Sequence, residues 1–344
     1  MLVSAAADPA LRRAVAEGLR PRPEYLVLES EHGVKLLDWS RLPGSPAGRS
    51  AWGSTIHVAT ALRMLGRHQV VFSDGEHVGI PLALAMRALR IATPHLALGH
   101  HVTTRAKARV FRRLHAHEAM TRILVHSALQ AELAHRELGI PKAKLAYQPY
   151  YADTRFWQPT GSAEERLIVA AGREHRDYAT LADACGTMNV RVFVAAGSVH
   201  SPAATTHEPL VWPDNFERGF AGYRELRELY ARAAVVVVPL VETDFQAGVT
   251  TVLEAMSMAK AVVVTTTKGR SEVVQDGVTG ICVPPGDSAR LRDAIRFLLD
   301  CPAERYRLGE AARESVLMWW SVEAYARSLA AHLEELAGSN RVVA

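Results

Sequence analysis

Hydrophobic positions along the chain fall into two alternating patterns. Short β-rich runs at Tyr25–Leu28, Val34–Leu37, Gln69–Phe72, His95–Leu98, Arg122–Val125 and Leu145–Gln148 punctuate the first half and read as strands. Between them, apolar residues recur at spacings of three and four, as in Ile56, Ala59 and Leu62 or Leu82, Met86 and Leu89, the period of an amphipathic helix. The second half repeats the scheme with near-continuous apolar runs at Leu167–Ala171, Val190–Ala195, Val235–Pro239, Ala261–Thr265 and Gly280–Val283, as expected of parallel strands buried on both faces. Strands separated by helices of this length predict doubly wound α/β sheets.

The stretch from Gln148 to Pro159, polar and aromatic with a proline near each end, neither extends a helix nor suits a central strand. It places a hinge at about 157–165. After Ser321, a helix N-cap residue, the stripe Val322, Tyr325, Leu329, Leu333 and Leu336 predicts a long amphipathic helix. The expected organisation is one domain over 1–157, a second over 158–320 and a terminal helix over 321–344.

Composition narrows the class. A chain of 344 residues matches about two domains at ~150 residues each. No apolar run approaches the ~18 residues of a membrane-spanning helix. Leu2–Ala7 lacks a preceding basic region and is followed by Asp8, so a secretory signal is not expected and a cytoplasmic location is. Three widely spaced cysteines without a CxxC pair encode neither a disulfide framework nor a zinc cluster. A net charge of +4 is too small to imply a nucleic-acid partner.

Three segments carry candidate chemistry. Gly172-Arg173-Glu174-His175-Arg176-Asp177 follows a strand and opens a helix, so a glycine turn, two cations and a helix N-terminus offer an anion site; an ordinary surface loop fits the same residues. The run from Asp244 to Met256 places Gly248, Val249 and Thr250 at a tight turn into a helix, with Glu254 in its early turns. Glu254 suits a ribose diol there, or simply the helix dipole. After the strand ending at Thr265, Lys268 and Arg270 offer further cations, while Asp276-Gly277 and Pro285-Gly286-Asp287 are turn and cap chemistry.

In the first half, His100 and His101 follow a strand, Asp74-Gly75-Glu76 follows another, and Gly53 lies in the turn opening the helix that contains His57. In Arg105–His117, Arg105, Arg109, Arg112 and Arg113 share a helical face opposite Val110, Phe111 and Leu114. That face is either solvated or a docking patch for a lipid phosphate, a membrane surface or an acidic carrier protein.

Glu254 with a polar residue eight positions earlier, the Leu253-Glu254-Ala255-Met256 continuation, Ser271-Glu272-Val273-Val274, and the Thr279-Gly280 and Pro284-Pro285-Gly286-Asp287 signatures resemble the C-terminal domain of family 4 glycosyltransferases. The resemblance is specific over about 166–315 and weaker before it. It implies a GT-B fold of two Rossmann-like domains facing a cleft, with the terminal helix crossing back toward the N-terminal domain. It implies a retaining transfer from a nucleotide-diphosphate sugar, with a UDP-sugar favoured, to a small-molecule or carrier-tethered acceptor. No metal and no other cofactor are expected, since the arginines already supply positive charge.

By the same resemblance, Arg173 and Arg176 clamp the diphosphate, Glu254 holds the ribose, and Gly248, Val249 and Thr250 present amides to sugar and phosphate. Gly53 takes the place of the donor-facing glycine turn, and His101, with His100 as alternate, stands near the transferring sugar. Gln246 replaces the family's first glutamate; an amide bonds a hydroxyl but is no base, nucleophile or charge. A GT-B-like epimerase or phosphorylase and a non-catalytic nucleotide-sugar binder are the alternatives. A dinucleotide oxidoreductase is weaker, because no GxGxxG follows an early strand.

Overall fold

The computed structural model describes residues 1–42, 51–196, 206–269 and 272–339. Its contacts divide the chain into two compact units, one of Met1–Glu17, Arg22–Pro149 and Glu323–Ala344 and one of Gly18–Pro21 and Tyr150–Val322.

The first unit runs α1 (Pro9–Ala16), α2 (Glu24–His32), α3 (Ala51–Met64), β1 (Val71–Ser73), α4 (Glu76–Ala88), β2 (His95–Gly99), α5 (Arg105–Leu114), β3 (Arg122–Val125), α6 (Ala128–Leu138) and β4 (Leu145–Tyr147). Its strands form one parallel sheet in the order β1-β2-β3-β4, and Leu2 bridges in parallel to Leu37 and Ser73 beside β1. Tyr25–Leu28, expected as a strand, is the first half of α2. Pro23 stands at its N-cap and Gly33, in the left-handed region, donates to the Leu28 carbonyl at its C-cap; these stop signals outweigh the local β propensity. Val34–Leu37, also expected as a strand, contributes only the Leu37 bridge.

The second unit continues with β5 (Leu167–Ala171), α7 (Tyr178–Cys185), β6 (Arg191–Ala195), β7 (Phe216–Gly219), α8 (Tyr223–Arg232), β8 (Val235–Val238), α9 (Val249–Ser257), β9 (Ala261–Thr265), β10 (Ile281–Val283), α10 (Ser288–Asp300) and α11 (Pro302–Trp319). Its parallel sheet has the order β10-β9-β8-β5-β6-β7. Val235 to Val238 are wholly buried, each valine stabilising the fold by roughly 1.5–3 kcal/mol. The edge strand β7, with exposed Glu217 and Arg218, has no apolar run and was not legible beforehand.

Tyr150–Trp157, expected with the first domain, packs in the second unit. Phe156 meets Trp157 edge to face at 4.8 Å, and Trp157 is 1% exposed in that unit's core. Prolines break regular structure here without ending the packing. The final helix, α12 (Val322–Ser339), groups with the first unit from Glu323 onward. Arg122 holds Glu335 through two bonds of 2.5 and 2.7 Å, and Gln148 donates to the Tyr325 carbonyl.

Candidate functional site

In the second sheet the chain winds outward in both directions from β5 and β8, which are neighbours. Open α/β sheets bind ligands outside the carboxyl ends of strands at such a switch point. The loops leaving β5 and β8 carry Arg173, Arg176, Gln246 and Gly248.

The backbone joins these loops directly. The Asp177 amide donates to the Pro239 carbonyl at 3.0 Å, the Val241 amide to His175 at 3.0 Å, and Arg176 bridges antiparallel to Leu240. Asp177 caps α7 by accepting from the Thr180 amide at 3.1 Å, and Tyr178 Oη donates to the Gly172 carbonyl at 2.6 Å.

Arg176 is not the exposed phosphate ligand expected from the sequence. It is 3% exposed, and its donors reach the carbonyls of Ala171 at 2.8 Å and Glu174 at 2.7 Å and the hydroxyl of Thr251 at 3.2 Å. Burial lowers its pKa, opposed by Tyr178, Tyr230, Glu174 and Glu254. The two glycines flanking it leave it room. Gly172 has φ +104°, and a Cβ there would run into the guanidinium; one on Gly248, φ +74°, would stand 2.7 Å from Val238 Cγ1 and 3.2 Å from Arg176 Nη1. Arg176 is therefore a tie beneath both loops. Arg173, two residues past β5, is half-buried, and no hydrogen bond or ion pair links its guanidinium to another described residue.

Gly248 is the left-handed N-cap of α9, followed by buried Val249 and exposed Thr250; first-turn amides have no partner within a helix. Glu254 lies further along α9, and burial, opposed by Arg176, pushes its carboxyl up to about 8. Tyr223 and Tyr230, which the motifs did not single out, both feel its charge. Their seven-residue spacing puts them on one face of α8, a signal present in the sequence.

Gln246 is 8% exposed. Glu242, its neighbour in sequence, accepts from the Lys268 amide at 2.8 Å, and both Glu242 and Asp244 are exposed. The Phe245 ring meets His175 edge to face at 5.0 Å. Gly269 donates to Thr243, and a Cβ on it would run into the Asp244–Phe245 backbone, so the loop after β9 pins the loop after β8. Arg270 and Ser271 lie outside the described residues. Asp276 and Asp287 make turn and cap bonds, to the amides of Cys282 and Arg290.

In the first unit the strand ends carry a polar network. Glu76, buried, accepts from the His101 amide at 2.8 Å and pairs with Lys107 at 3.1 Å. Burial would raise its pKa, but Lys107, His100 and the His101 amide together bring it below the usual value. His100 is exposed, its Nε2 3.0 Å from the Asp74 carbonyl and its Nδ1 3.3 Å from Nε2 of buried His126. His126 also meets the Gln148 carbonyl at 2.8 Å, and burial lowers its pKa to about 3. His101 is half-buried. Gly53, expected in a loop, lies inside the first turn of α3, and Ser50 before it is outside the described residues. Among the described residues no group of three or more His, Cys, Asp and Glu is placed to hold a metal ion.

Residues 166–301 match the family model of the glycosyl transferases group 1. Over 118 residues, 34% of this chain and 30% of the relative, the sequence is 29% identical to alpha-D-kanosaminyltransferase of Streptomyces kanamyceticus. Over 103 residues, 28% of this chain and 26% of the relative, it is 38% identical to alpha-maltose-1-phosphate synthase of Mycobacterium tuberculosis. The chain thus spans less than a third of each curated relative's length. Among solved structures, sucrose-phosphate synthase from Thermosynechococcus elongatus superimposes with a TM-score of 0.71 at 18% identity, covering 98% of this chain and 95% of that one. HepE from Anabaena, in complex with UDP-glucose, gives 0.67 at 14% identity over 97% and 98%. The fold is that of the GT-B glycosyltransferases.

Proposed function

We propose, on the premise that residues 166–301 belong to the group 1 glycosyltransferases, that the protein moves a sugar from a nucleoside-diphosphate sugar, preferably a UDP-sugar, to a small-molecule or carrier-tethered acceptor with retention of configuration. One observation carries this reading. Arg176 ties the loops after β5 and β8 together at the switch point, so that Arg173, the amides opening α9 and Glu254 share one locality. The HepE structures with UDP and with UDP-glucose support the choice of donor.

In this reading Arg173 and the α9 amides stabilise charge as it builds on the leaving diphosphate, the largest stabilising effect available to the reaction. Glu254, its carboxyl pushed up by burial to about 8, hydrogen-bonds the ribose diol. Gln246 bonds a sugar hydroxyl and takes no part in proton transfer. His101, its backbone fixed by Glu76, orients a sugar or acceptor hydroxyl, with His100 beside it. The amide at 246 also favours a second reading, a protein that binds the donor without turnover.

Thermal unfolding with UDP, GDP, ADP, dTDP and NAD separates these readings from the rest. A nucleotide at 100 times its Kd adds about 2.7 kcal/mol. A shift with one nucleoside diphosphate, followed by consumption of its sugar conjugates, supports transfer. A shift without consumption supports the binder, and a shift with NAD alone overturns both.

A further inference from the structure

Asp74, His100, His126 and Gln148 are the residues that immediately follow β1, β2, β3 and β4, and one line of hydrogen bonds joins them in that order along the carboxyl edge of the first sheet. His100 Nε2 stands 3.0 Å from the Asp74 carbonyl, His100 Nδ1 3.3 Å from His126 Nε2, and His126 Nδ1 2.8 Å from the Gln148 carbonyl. The donors of this line can be counted. A carbonyl oxygen only accepts, so each end of the line takes a ring N–H, and the middle contact takes one more from either ring. Two neutral imidazoles carry one N–H each, which leaves one contact with lone pair against lone pair. A third proton satisfies every contact and gives the pair one positive charge, and that proton belongs to the pair.

Both carbonyls at the ends of the line belong to backbone that is itself tied down. The Asp74 amide donates to the Leu2 carbonyl at 3.2 Å, and the Gln148 amide to the Val125 carbonyl at 2.9 Å. The buried Gln148 side chain donates to the Tyr325 carbonyl and accepts from Ser328, both on α12. In the middle, buried Gln130 accepts from the His126 amide at 3.1 Å and donates to the His100 carbonyl at 2.7 Å. The next residue is held at both backbone groups, its amide by Glu76 and its carbonyl by Lys107 at 3.2 Å. The turn His100–His101 is thus the point on which these bonds converge.

The titratable groups around the pair are Glu76 and His77 on α4, Lys107 on α5 and Asp74 after β1. The Asp74 carboxylate accepts from the Ser4 amide and hydroxyl, and Lys107 pairs with Glu76. A Cβ on Gly75 would stand 3.1 Å from His77 Nδ1 and 3.7 Å from His100 Cδ2, so that glycine gives both rings room. Glu76 is close enough to feel the charge: burial raises its pKa, and Lys107 and then His100 bring it down. Burial keeps His126 neutral, which puts the extra proton on exposed His100.

We infer that His126 is a positioning residue: its ring and that of His100 share three protons, and the charged pair fastens the turn that carries His101. His100, with both ring nitrogens committed to this line, is then not the histidine that meets a substrate hydroxyl. The role of His101 rests on the proposed function; the proton count does not.

Proton–nitrogen correlation NMR of the full chain, with isotope-labelled histidine rings, reads the protons directly, and the spectra of His100→Gln and His126→Gln assign the two rings. At about pH 7.5, a unit above the ordinary imidazole value, His100 is expected with both nitrogens protonated and His126 as the Nδ1–H tautomer. In His126→Leu the second proton leaves His100 at a pH lower by about one unit, the scale of one hydrogen bond to a charged group. His126→Gln, whose amide oxygen still accepts from His100, restores most of that shift. Where His126→Leu does not fold, the wild-type spectrum decides alone. A single ring proton on His100 at that pH, an Nε2–H tautomer at His126, or the same titration in the wild type and His126→Leu overturns the inference. Nucleotide binding, which tests the proposed function, is a separate readout, so either can fail without the other.

Discussion

The two units hold opposite kinds of titratable group whose pKa values burial shifts. The first holds neutral bases, with burial lowering His126 to about 3 and His95, at the start of β2, to about 4. The second holds an acid, Glu254, raised to about 8. In the first unit Glu76 pairs with Lys107 and the His101 amide, and His100 with His126. In the second, Arg176 is spent inside while Arg173 is left unengaged among the described residues. The difference separates a strand-end network whose charged groups pair with one another from a strand end that leaves one arginine without a described partner.

Removing the internal tie breaks the comparison most severely. Arg176→Met leaves the Ala171 and Glu174 carbonyls and the Thr251 hydroxyl without their donor and is expected to cost about 3 kcal/mol or more, read from urea unfolding. A loss well below 1 kcal/mol would mean that the loops hold together without it.

The pH dependence sharpens the contrast. The folded pKa values of His95 and His126 lie below the ordinary 6.5, so the unfolded chain binds more protons. Their contribution is complete above about 6.5 and is lost as pH falls toward 4 and 3. Glu254 lies above the ordinary 4.5, so the folded chain binds the extra proton; its contribution is complete below about 4.5 and is lost as pH rises through 8. Each group adds a slope of at most about 1.4 kcal/mol per pH unit within its window. Glu254→Gln should flatten stability between pH 5 and 8, and His95→Gln should flatten it below pH 6. An unchanged slope in either variant would show that the group is solvated.

Much of this was legible in the sequence. Val235–Val238 and Leu167–Ala171 announce a buried parallel sheet because both faces of each strand are covered, and the segments around Gly172 and Gly248 are the loops that Arg176 joins. Arg176 was misread because spacing shows that a cation follows a strand but not that its side chain folds back beneath Gly172 and Gly248. Tyr25–Leu28 was misread because its β propensity hid the stop signals at Pro23 and Gly33.

The smallest expected effect is none. On the proposed function, in which Arg173 and the α9 amides meet the developing charge, turnover should persist in EDTA; loss of activity restored by magnesium or manganese would assign that role to a metal.

In the proposed function Arg173, unlike Arg176, is the arginine that meets the diphosphate. Calorimetric titration of UDP into the wild-type protein and into Arg173→Ala tests it most directly. Folding stability should be unchanged and binding weaker by about 1.5–3 kcal/mol, the range of a charge-assisted hydrogen bond. Equal affinity in the two proteins would contradict it and remove Arg173 from the site.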